Sequence, residues 1–71
     1  MNIIVKTRLK EILKKKGIRN NWLADQLNIS KTTLSNIINN RYNTSLETAF
    51  KISIIINVAL TDIFYWELLE K

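Results

Sequence analysis

The sequence contains no cysteine, no histidine and no proline, and it has one glycine. Without cysteine there are no disulfide bonds and no thiolate metal sites. Without histidine and cysteine the usual acid–base and nucleophilic catalysts are missing, and there is no glycine-rich phosphate loop. The six carboxylates are scattered along the chain, which argues against a zinc or calcium site. We therefore expect no enzymatic activity, no metal and no cofactor.

Long hydrophobic runs are also missing. No apolar stretch approaches the length of a membrane-spanning helix, and residues 3–5 are too few for the core of a signal peptide. We expect a cytoplasmic protein with no membrane partner. The 71 residues predict one domain, 1–71, without room for a ligand-binding domain, so no small-molecule ligand is expected. Its core must be small, and with disulfides and metals excluded, oligomerisation is the remaining way to stabilise it.

Positive charge is concentrated in the first part of the chain. The net charge at pH 7 is +5. Residues 1–41 contain nine basic and two acidic residues, a net charge of +7, whereas residues 42–71 contain two basic and four acidic residues, a net charge of −2. A basic surface on one side of a protein is typical of a polyanion binder. A solvated charged face is the alternative interpretation.

Apolar residues recur at helical spacing through most of the chain. The spacing predicts helices over 7–16, 20–27, 31–39 and 46–56, and a short fifth helix near 60–64. The expected N-caps are Thr7, Ser30 and Ser45. Gly17, Asn28 and Asn57 follow three of the helices and suit the left-handed backbone conformation that ends a helix. The residues expected to line the buried face of the fourth helix are Leu46, Ala49, Phe50, Ile52 and Ile56.

The two ends of the chain differ from its middle. Residues 2–5 are few and mostly β-branched, and residues 64–68 are aromatic with alternating character from Trp66 onward, so each end has strand properties. Paired, they would form a small antiparallel ribbon, and two frayed ends are the alternative. The predicted fold is all-α, a five-helix bundle with a two-stranded antiparallel ribbon formed by the N- and C-termini.

Residues 20–39 have the residue pattern of a helix-turn-helix. Counting from Asn20, the fifth position is Ala24, which is small enough for two helices to cross closely. The ninth position is Asn28, which tolerates the positive φ of the turn better than most residues. The five positions that should be buried are Leu23, Leu27, Ile29, Leu34 and Ile37. A helical hairpin of purely structural use would rarely match all of these positions.

With this unit in place, the chain resembles the lambda-repressor/Cro-type (XRE) family of helix-turn-helix regulators over about residues 7–64. Matching stretches include Trp22-Leu23-Ala24, Leu27-Asn28-Ile29-Ser30, Thr33-Leu34-Ser35 and Ser45-Leu46-Glu47-Thr48-Ala49. The resemblance implies a lambda-repressor-like DNA-binding bundle with helix 3 as the recognition helix. The strand-like ends are similar to the small dimeric cytolysin-repressor type, where a terminal ribbon extends the bundle. In the family a Gln at the start of helix 2 contacts a phosphate, and Asn20 stands at that position.

Polar residues of helix 3 and of the loop after it are the candidate DNA contacts. On the helix they are Lys31, Thr32, Thr33, Ser35 and Asn36, and in the loop Asn40, Arg41, Tyr42 and Asn43. Asn36 can pair with adenine through two hydrogen bonds, and Lys31 can contact guanine or a phosphate. Arg41 and Tyr42 suit phosphate contacts beside the groove. A solvated polar face is the alternative for the helix residues.

The segment 52–56 is almost continuously apolar, which is more than one helix face buries in a monomer. We interpret Ile54 and Ile55 as a dimer contact, which Trp66 and Leu68 would extend. A well-filled core is the alternative. The sequence thus predicts a DNA-binding transcription regulator, a repressor that binds an inverted-repeat operator as a homodimer. Its partners would be double-stranded DNA and a second copy of the chain. The alternative is an antitoxin or a protein-interaction module of the same fold.

Overall fold

Five helices lie between two strands in residues 1–41 and 43–69, the part of the chain that the computed structural model describes. In chain order the elements are β1 (Ile3–Thr7), α1 (Leu9–Lys16), α2 (Asn20–Leu27), α3 (Lys31–Ile38), α4 (Leu46–Ile56), α5 (Leu60–Ile63) and β2 (Phe64–Leu68). The two strands pair antiparallel, from Ile3 opposite Leu68 to Thr7 opposite Phe64. The predicted five-helix bundle with a terminal ribbon is confirmed.

The start of α1 differs from the expected one. The strand β1 extends to Thr7, so α1 begins at Leu9, and Arg8 occupies the N-cap position without a side-chain cap. Thr7 is β-branched and pairs with Phe64, so it belongs to the strand. Its hydroxyl nevertheless accepts a hydrogen bond from the N–H of Leu9 at 3.1 Å and donates one to the carbonyl of Ile63 at 2.8 Å. Thr7 therefore ties the ribbon to both α1 and α5.

The other caps follow the expectations from the sequence. Ser30 Oγ accepts a hydrogen bond from the N–H of Thr33 at 3.0 Å, and Ser45 Oγ accepts one from the N–H of Thr48 at 3.1 Å. These side chains satisfy backbone donors that the first turn of a helix leaves unpaired. The residues in the left-handed conformation at the ends of α1, α2 and α4 are Gly17, Asn28 and Asn57.

The core receives fully buried side chains from every helix. They are Leu9 and Leu13 of α1, Leu23 of α2, Leu34 of α3, Ile52 of α4 and Ile63 of α5. The expected buried face of α4 was partly wrong, because Leu46 is 69% exposed and Phe50 is about half exposed. Ala49, Ile52 and Ile56 already fill the narrow stripe that α4 turns to the core. Leu46 and Phe50 lie beside that stripe.

Candidate nucleic-acid interface

The turn between α2 and α3 has the geometry that the residue pattern requires. Asn28 has a φ of 58°, and its N–H donates to the carbonyl of Asp25 at 3.1 Å. The N–H of Ile29 donates to the carbonyl of Ala24 at 3.1 Å. These two bonds close the C-terminus of α2 and reverse the chain within two residues. Ala24 is buried where α2 packs against α3, so no larger side chain separates the two helices.

The predicted buried positions of the helix-turn-helix hold α3 in place. Leu23, Leu27, Leu34 and Ile37 are buried, and Ile29 is half-buried against the core. Since Leu34 and Ile37 face inward, the polar residues of α3 are left on its outer side. We call the outward surface formed by Lys31, Thr32, Asn36 and Arg41 the α3 face.

The residues predicted to contact DNA from α3 differ in how much they are exposed. Lys31 and Thr32 in the first turn are exposed, whereas Thr33, Ser35 and Asn36 are half-buried. The Thr33 hydroxyl accepts a hydrogen bond from Ser30 Oγ at 2.8 Å, so Thr33 takes part in capping its own helix. Ser35 Oγ accepts a hydrogen bond from Asn39 Nδ2 at 3.2 Å. Lys31 and Thr32 are therefore the most accessible of the five.

A hydrogen bond joins Asn36 and Arg41, for which separate roles were predicted. Arg41 Nη1 donates a hydrogen bond to Asn36 Oδ1 at 3.3 Å, and the backbone N–H of Arg41 donates to the carbonyl of Asn36 at 2.9 Å. The guanidinium therefore helps to orient the amide that was predicted to read adenine. A carbonyl oxygen has two lone pairs, so Asn36 Oδ1 can keep this bond while it accepts another from a base.

Asn40 is bonded to the ribbon. Its φ is 61°, and its side-chain Oδ1 accepts a hydrogen bond from the N–H of Thr7 at 2.8 Å, while its Nδ2 donates to the carbonyl of Thr7 at 3.5 Å. The amide thus joins the end of α3 to the end of β1, a role that sequence reasoning missed. Nothing local in the sequence marks it, because the two residues are 33 positions apart.

The remaining predicted contacts are placed as follows. Asn20 is exposed at the first position of α2, where the backbone N–H groups of a helix favour anions. Asn43 is exposed in the loop before α4, and Tyr42 lies outside the described residues.

In the described part of the chain, ion pairs do not neutralise the positive charge of the segment from α1 to the loop after α3. The salt bridges among the described residues join Lys6 to Glu67 and Lys51 to Glu47, each at 3.0 Å. Neither pair includes a basic residue of α1, α3 or the loops that follow these two helices. The basic side chains of these segments are exposed: Lys10, Lys14, Lys15, Lys16, Arg19, Lys31 and Arg41. This surface can therefore attract a polyanion such as the DNA backbone.

The residues predicted to form a dimer contact also differ in exposure. Ile54 is 76% exposed, Trp66 is 60% exposed, and about half of Leu68 is exposed. Ile55 is half-buried and packs against the core cluster. Sequence reasoning missed the exposure of Leu46 and Phe50, although their i, i+4 spacing with Ile54 placed all three on one side of α4.

The described residues hold neither a metal-ligand cluster nor a membrane-spanning helix. Residues 1–41 and 43–69 contain no cluster of three or more acidic side chains that could hold a metal ion. None of the helices in these ranges has the length and apolar character needed to cross a membrane.

Comparison with known proteins agrees with this geometry. A family model described as Helix-turn-helix matches residues 9–63. Two relatives from Archaeoglobus fulgidus, each named an "Uncharacterized HTH-type transcriptional regulator", are 29% and 33% identical to the chain. The first match covers 89% of this chain and 90% of the relative, and the second covers 94% and 99%.

A solved structure has the same fold. A crystal structure described as that of "a putative DNA-binding protein from Bacteroides fragilis" superposes with a TM-score of 0.82 at 29% identity, covering 87% of this chain and all of the other. The family match extends over most of the chain and includes both helices of the motif. The chain therefore belongs to the XRE-type helix-turn-helix family and is a DNA-binding transcription regulator, not an enzyme.

Proposed function

We propose that the chain is a cytoplasmic repressor that binds an inverted-repeat operator as a homodimer. The observation that supports this most directly is the position of α3. Its inner side is fixed by Leu34 and Ile37. Its outer side presents Lys31, Thr32 and Asn36, and Arg41 of the following loop is hydrogen-bonded to Asn36. An exposed helix with rigid support and polar outward residues suits insertion into the major groove.

Each polar group has a separate part in the proposed complex. Lys31 and Thr32, in the first turn of α3, lie closest to the base edges, because recognition helices of this type enter the groove with their N-terminal residues. Asn36 pairs with a base, and Arg41 lies at the helix end, where its guanidinium reaches a phosphate while it orients the Asn36 amide. Asn20, Asn40, Asn43 and Tyr42 complete the proposed backbone contacts.

The remaining parts of the proposal concern the arrangement of the molecule. We take residues 1–71 as one domain with the helix-turn-helix at about 20–39. We also assign the chain to the small cytolysin-repressor type, and the support for this is the antiparallel ribbon made by β1 and β2. Two α3 helices related by a two-fold axis would read two half-sites about 10 bp apart, centre to centre. A dimer bound across a promoter would exclude RNA polymerase.

Selection of bound duplexes from a random pool tests this proposal. We expect inverted repeats with half-sites about 10 bp apart, bound at least about 10³-fold more tightly than random DNA at physiological salt. A reporter promoter that carries the selected site should be less active when the protein is produced. Asn36→Ala is the control and should relax the selected sequence. Enrichment of a single asymmetric site would contradict the dimeric operator, and increased reporter activity would contradict repression.

A second candidate function is that of an antitoxin, which would use this fold to bind a toxin protein. The observation that favours it is the exposure of apolar side chains such as Leu46 and Ile54, since a partner protein could cover them. A toxin gene next to this one, and rescue of growth when the two are produced together, would support this alternative. Growth arrest that the chain does not relieve would exclude it for that toxin.

A further inference from the structure

The two faces of the ribbon differ in chemistry. In an antiparallel pair, residues opposite each other lie on the same face of the sheet. One face carries Ile4 opposite Glu67 and Lys6 opposite Tyr65. The other face carries three pairs without a charged residue: Ile3 with Leu68, Val5 with Trp66, and Thr7 with Phe64. The ribbon therefore has a charged face and an uncharged, mainly apolar face.

The charged face already has its partners within the chain. Lys6 Nζ lies 3.0 Å from Glu67 Oε1, and this carboxylate raises the pKa of Lys6 above its usual value. The guanidinium of Arg8 lies over the ring of Tyr65, 4.1 Å from its centroid. Among residues 1–41 and 43–69, no such partners cover the outer part of the other face, where Trp66 is 60% exposed and Ile3, Val5 and Leu68 are 46%, 39% and 51% exposed.

A cleft connects this apolar side of the ribbon to α4. Its volume is about 300 Å³, and Val5, Lys6 and Phe64 line it from the ribbon while Leu46 and Ala49 line it from α4. From Leu46 an apolar stripe continues along α4 through Phe50 to Ile54, because residues four apart lie on the same side of a helix. We call the uncharged side of the ribbon, the cleft and this stripe the apolar face.

We propose that the apolar face is the surface on which a second copy of this chain packs. This inference rests on the homodimer of the proposed function and assigns its interface. Trp66 and Phe50 together expose about 200 Å², counting about 150–250 Å² for a fully exposed aromatic side chain. Ile3, Val5, Leu46, Ile54 and Leu68 add exposed fractions of 39% to 76% toward the ~800 Å² that each partner buries in an interface of standard size.

The shape and position of the apolar face also favour a second copy. The face contains both a concavity, the cleft, and exposed knobs such as Trp66 and Ile54, so it can be complementary to itself about a two-fold axis. The cleft is also lined by Ile37 and Asn40, at the C-terminal end of α3. Packing there turns the C-terminal ends of the two α3 helices toward the two-fold axis and leaves the base-reading N-terminal turn of each uncovered.

Two adjacent ribbon residues provide a matched test. Ile4 is 38% exposed on the charged face, and Val5 is 39% exposed on the apolar face. Ile4→Lys places a lysine opposite Glu67 and is the control. Ile54→Lys is the main variant, because Ile54 is mostly exposed in the single chain and the fold should tolerate the change. Val5→Lys is the second variant, and melting followed by circular dichroism checks that each one folds.

Sedimentation equilibrium at micromolar concentrations measures the result. We expect the wild type and Ile4→Lys to be dimers, and Ile54→Lys and Val5→Lys to raise the dimer dissociation constant by at least about 100-fold, because each lysine enters a two-fold interface twice. Folded lysine variants that dimerise as well as the wild type would overturn this interface and leave the proposed homodimer intact. A monomeric wild type would overturn the inference and assign the face to a different occupant.

The DNA experiment separates the two proposals. If the wild type is a dimer through this face but random duplexes yield no inverted repeat, the proposed function fails and the interface stands. If Ile54→Lys becomes monomeric, it should bind a half-site about as well as the wild type chain does and lose the extra affinity for the complete repeat. Equal binding of the wild type and Ile54→Lys to the complete repeat would overturn the role of this interface on DNA.

Discussion

The α3 face and the apolar face are both exposed, but they are constructed differently. The α3 face is polar and basic, and its residues lie within an eleven-residue stretch, 31–41. The apolar face lacks charge on the ribbon side, and it is assembled from segments 3–5, 46–54 and 64–68. The first face is fixed by a local motif, and the second exists only when the two ends of the chain meet.

The difference between the two faces shows what each can recognise. A polyanion is attracted by exposed, unpaired positive charge and is oriented by hydrogen bonds, which the α3 face provides. An apolar surface gains most by removal from water and suits a protein surface of matching shape. Changes to one face should therefore leave the other face's function intact.

The largest effect is expected at Asn28, because it affects both faces through the shared core. Its φ of 58° is tolerated by glycine and asparagine and is strained for a β-branched residue. We expect Asn28→Val to lower the free energy of unfolding by about 1–3 kcal/mol. Asn28→Gly should change the stability much less. Urea unfolding measures both, and equal midpoints for the two variants would contradict the left-handed turn.

How much could be predicted from the sequence depended on the distance between interacting residues. The turn at Asn28, the caps Ser30 and Ser45, and the core positions of α2 and α3 follow rules that operate within a few residues, and the structure confirms them. The ribbon was also predicted, since each end has its own strand pattern. Such local patterns do not reveal the register, which places Val5 opposite Trp66.

The parts that could not be predicted involve contacts between distant segments. The hydrogen bond between Asn40 and Thr7 forms only because the end of α3 lies next to β1 in the fold, and local residue patterns do not show this proximity. The exposure of Leu46 and Phe50 can be predicted only when the side of α4 that faces the core is known. A helix this apolar has more than one possible buried face. The pairing of Asn36 with Arg41 depends on how the chain folds back after α3, which residue spacing does not specify.

A second prediction examines the α3 face alone. Asn36→Ala should weaken binding to the preferred site by about 1–3 kcal/mol, because it removes both of the hydrogen bonds that we propose between this side chain and a base. Binding to random duplexes and the dimer dissociation constant should be nearly unchanged. Fluorescence anisotropy with the selected and scrambled duplexes measures the first two. Equal losses on both duplexes would show that α3 does not read the sequence.

A third, smaller effect concerns the bond between Arg41 and Asn36. Arg41→Ala should reduce the slope of log affinity against log salt by about one, because it removes the phosphate contact that we propose for this side chain. Since Arg41 also orients Asn36, the two substitutions should not be additive, with a coupling of about 0.5–1 kcal/mol in a double-mutant cycle on the preferred site. Lys16→Ala combined with Asn36→Ala is the control and should be additive. If the effects of Arg41→Ala and Asn36→Ala were additive, the hydrogen bond between these two residues would be absent in the DNA complex.

The smallest effect is expected on the charged face of the ribbon, where Lys6 and Glu67 form an exposed pair. Glu67 holds the pKa of Lys6 above 10.5, its value in an unfolded chain. Since folding raises this pKa, the pair stabilises the fold fully below pH ~10.5, and the contribution disappears as the pH rises through the higher pKa of the folded state. The melting temperature of Lys6→Met should therefore lie below that of the wild type at about pH 9, and the gap should narrow at about pH 11.

Lys10→Met is the matched control for this last prediction, because Lys10 is exposed on α1 and belongs to neither salt bridge. The difference in melting temperature between Lys10→Met and the wild type should not narrow in the same way from about pH 9 to about pH 11. Both variants should remain dimeric and bind the selected site, because Lys6 pairs with Glu67 on the ribbon face that does not carry Val5 and Trp66, and Lys10 lies on α1. If the melting-temperature difference between Lys6→Met and the wild type instead grew with pH, it would contradict the raised pKa of Lys6. Loss of the dimer in Lys6→Met would place the interface on the wrong side of the ribbon.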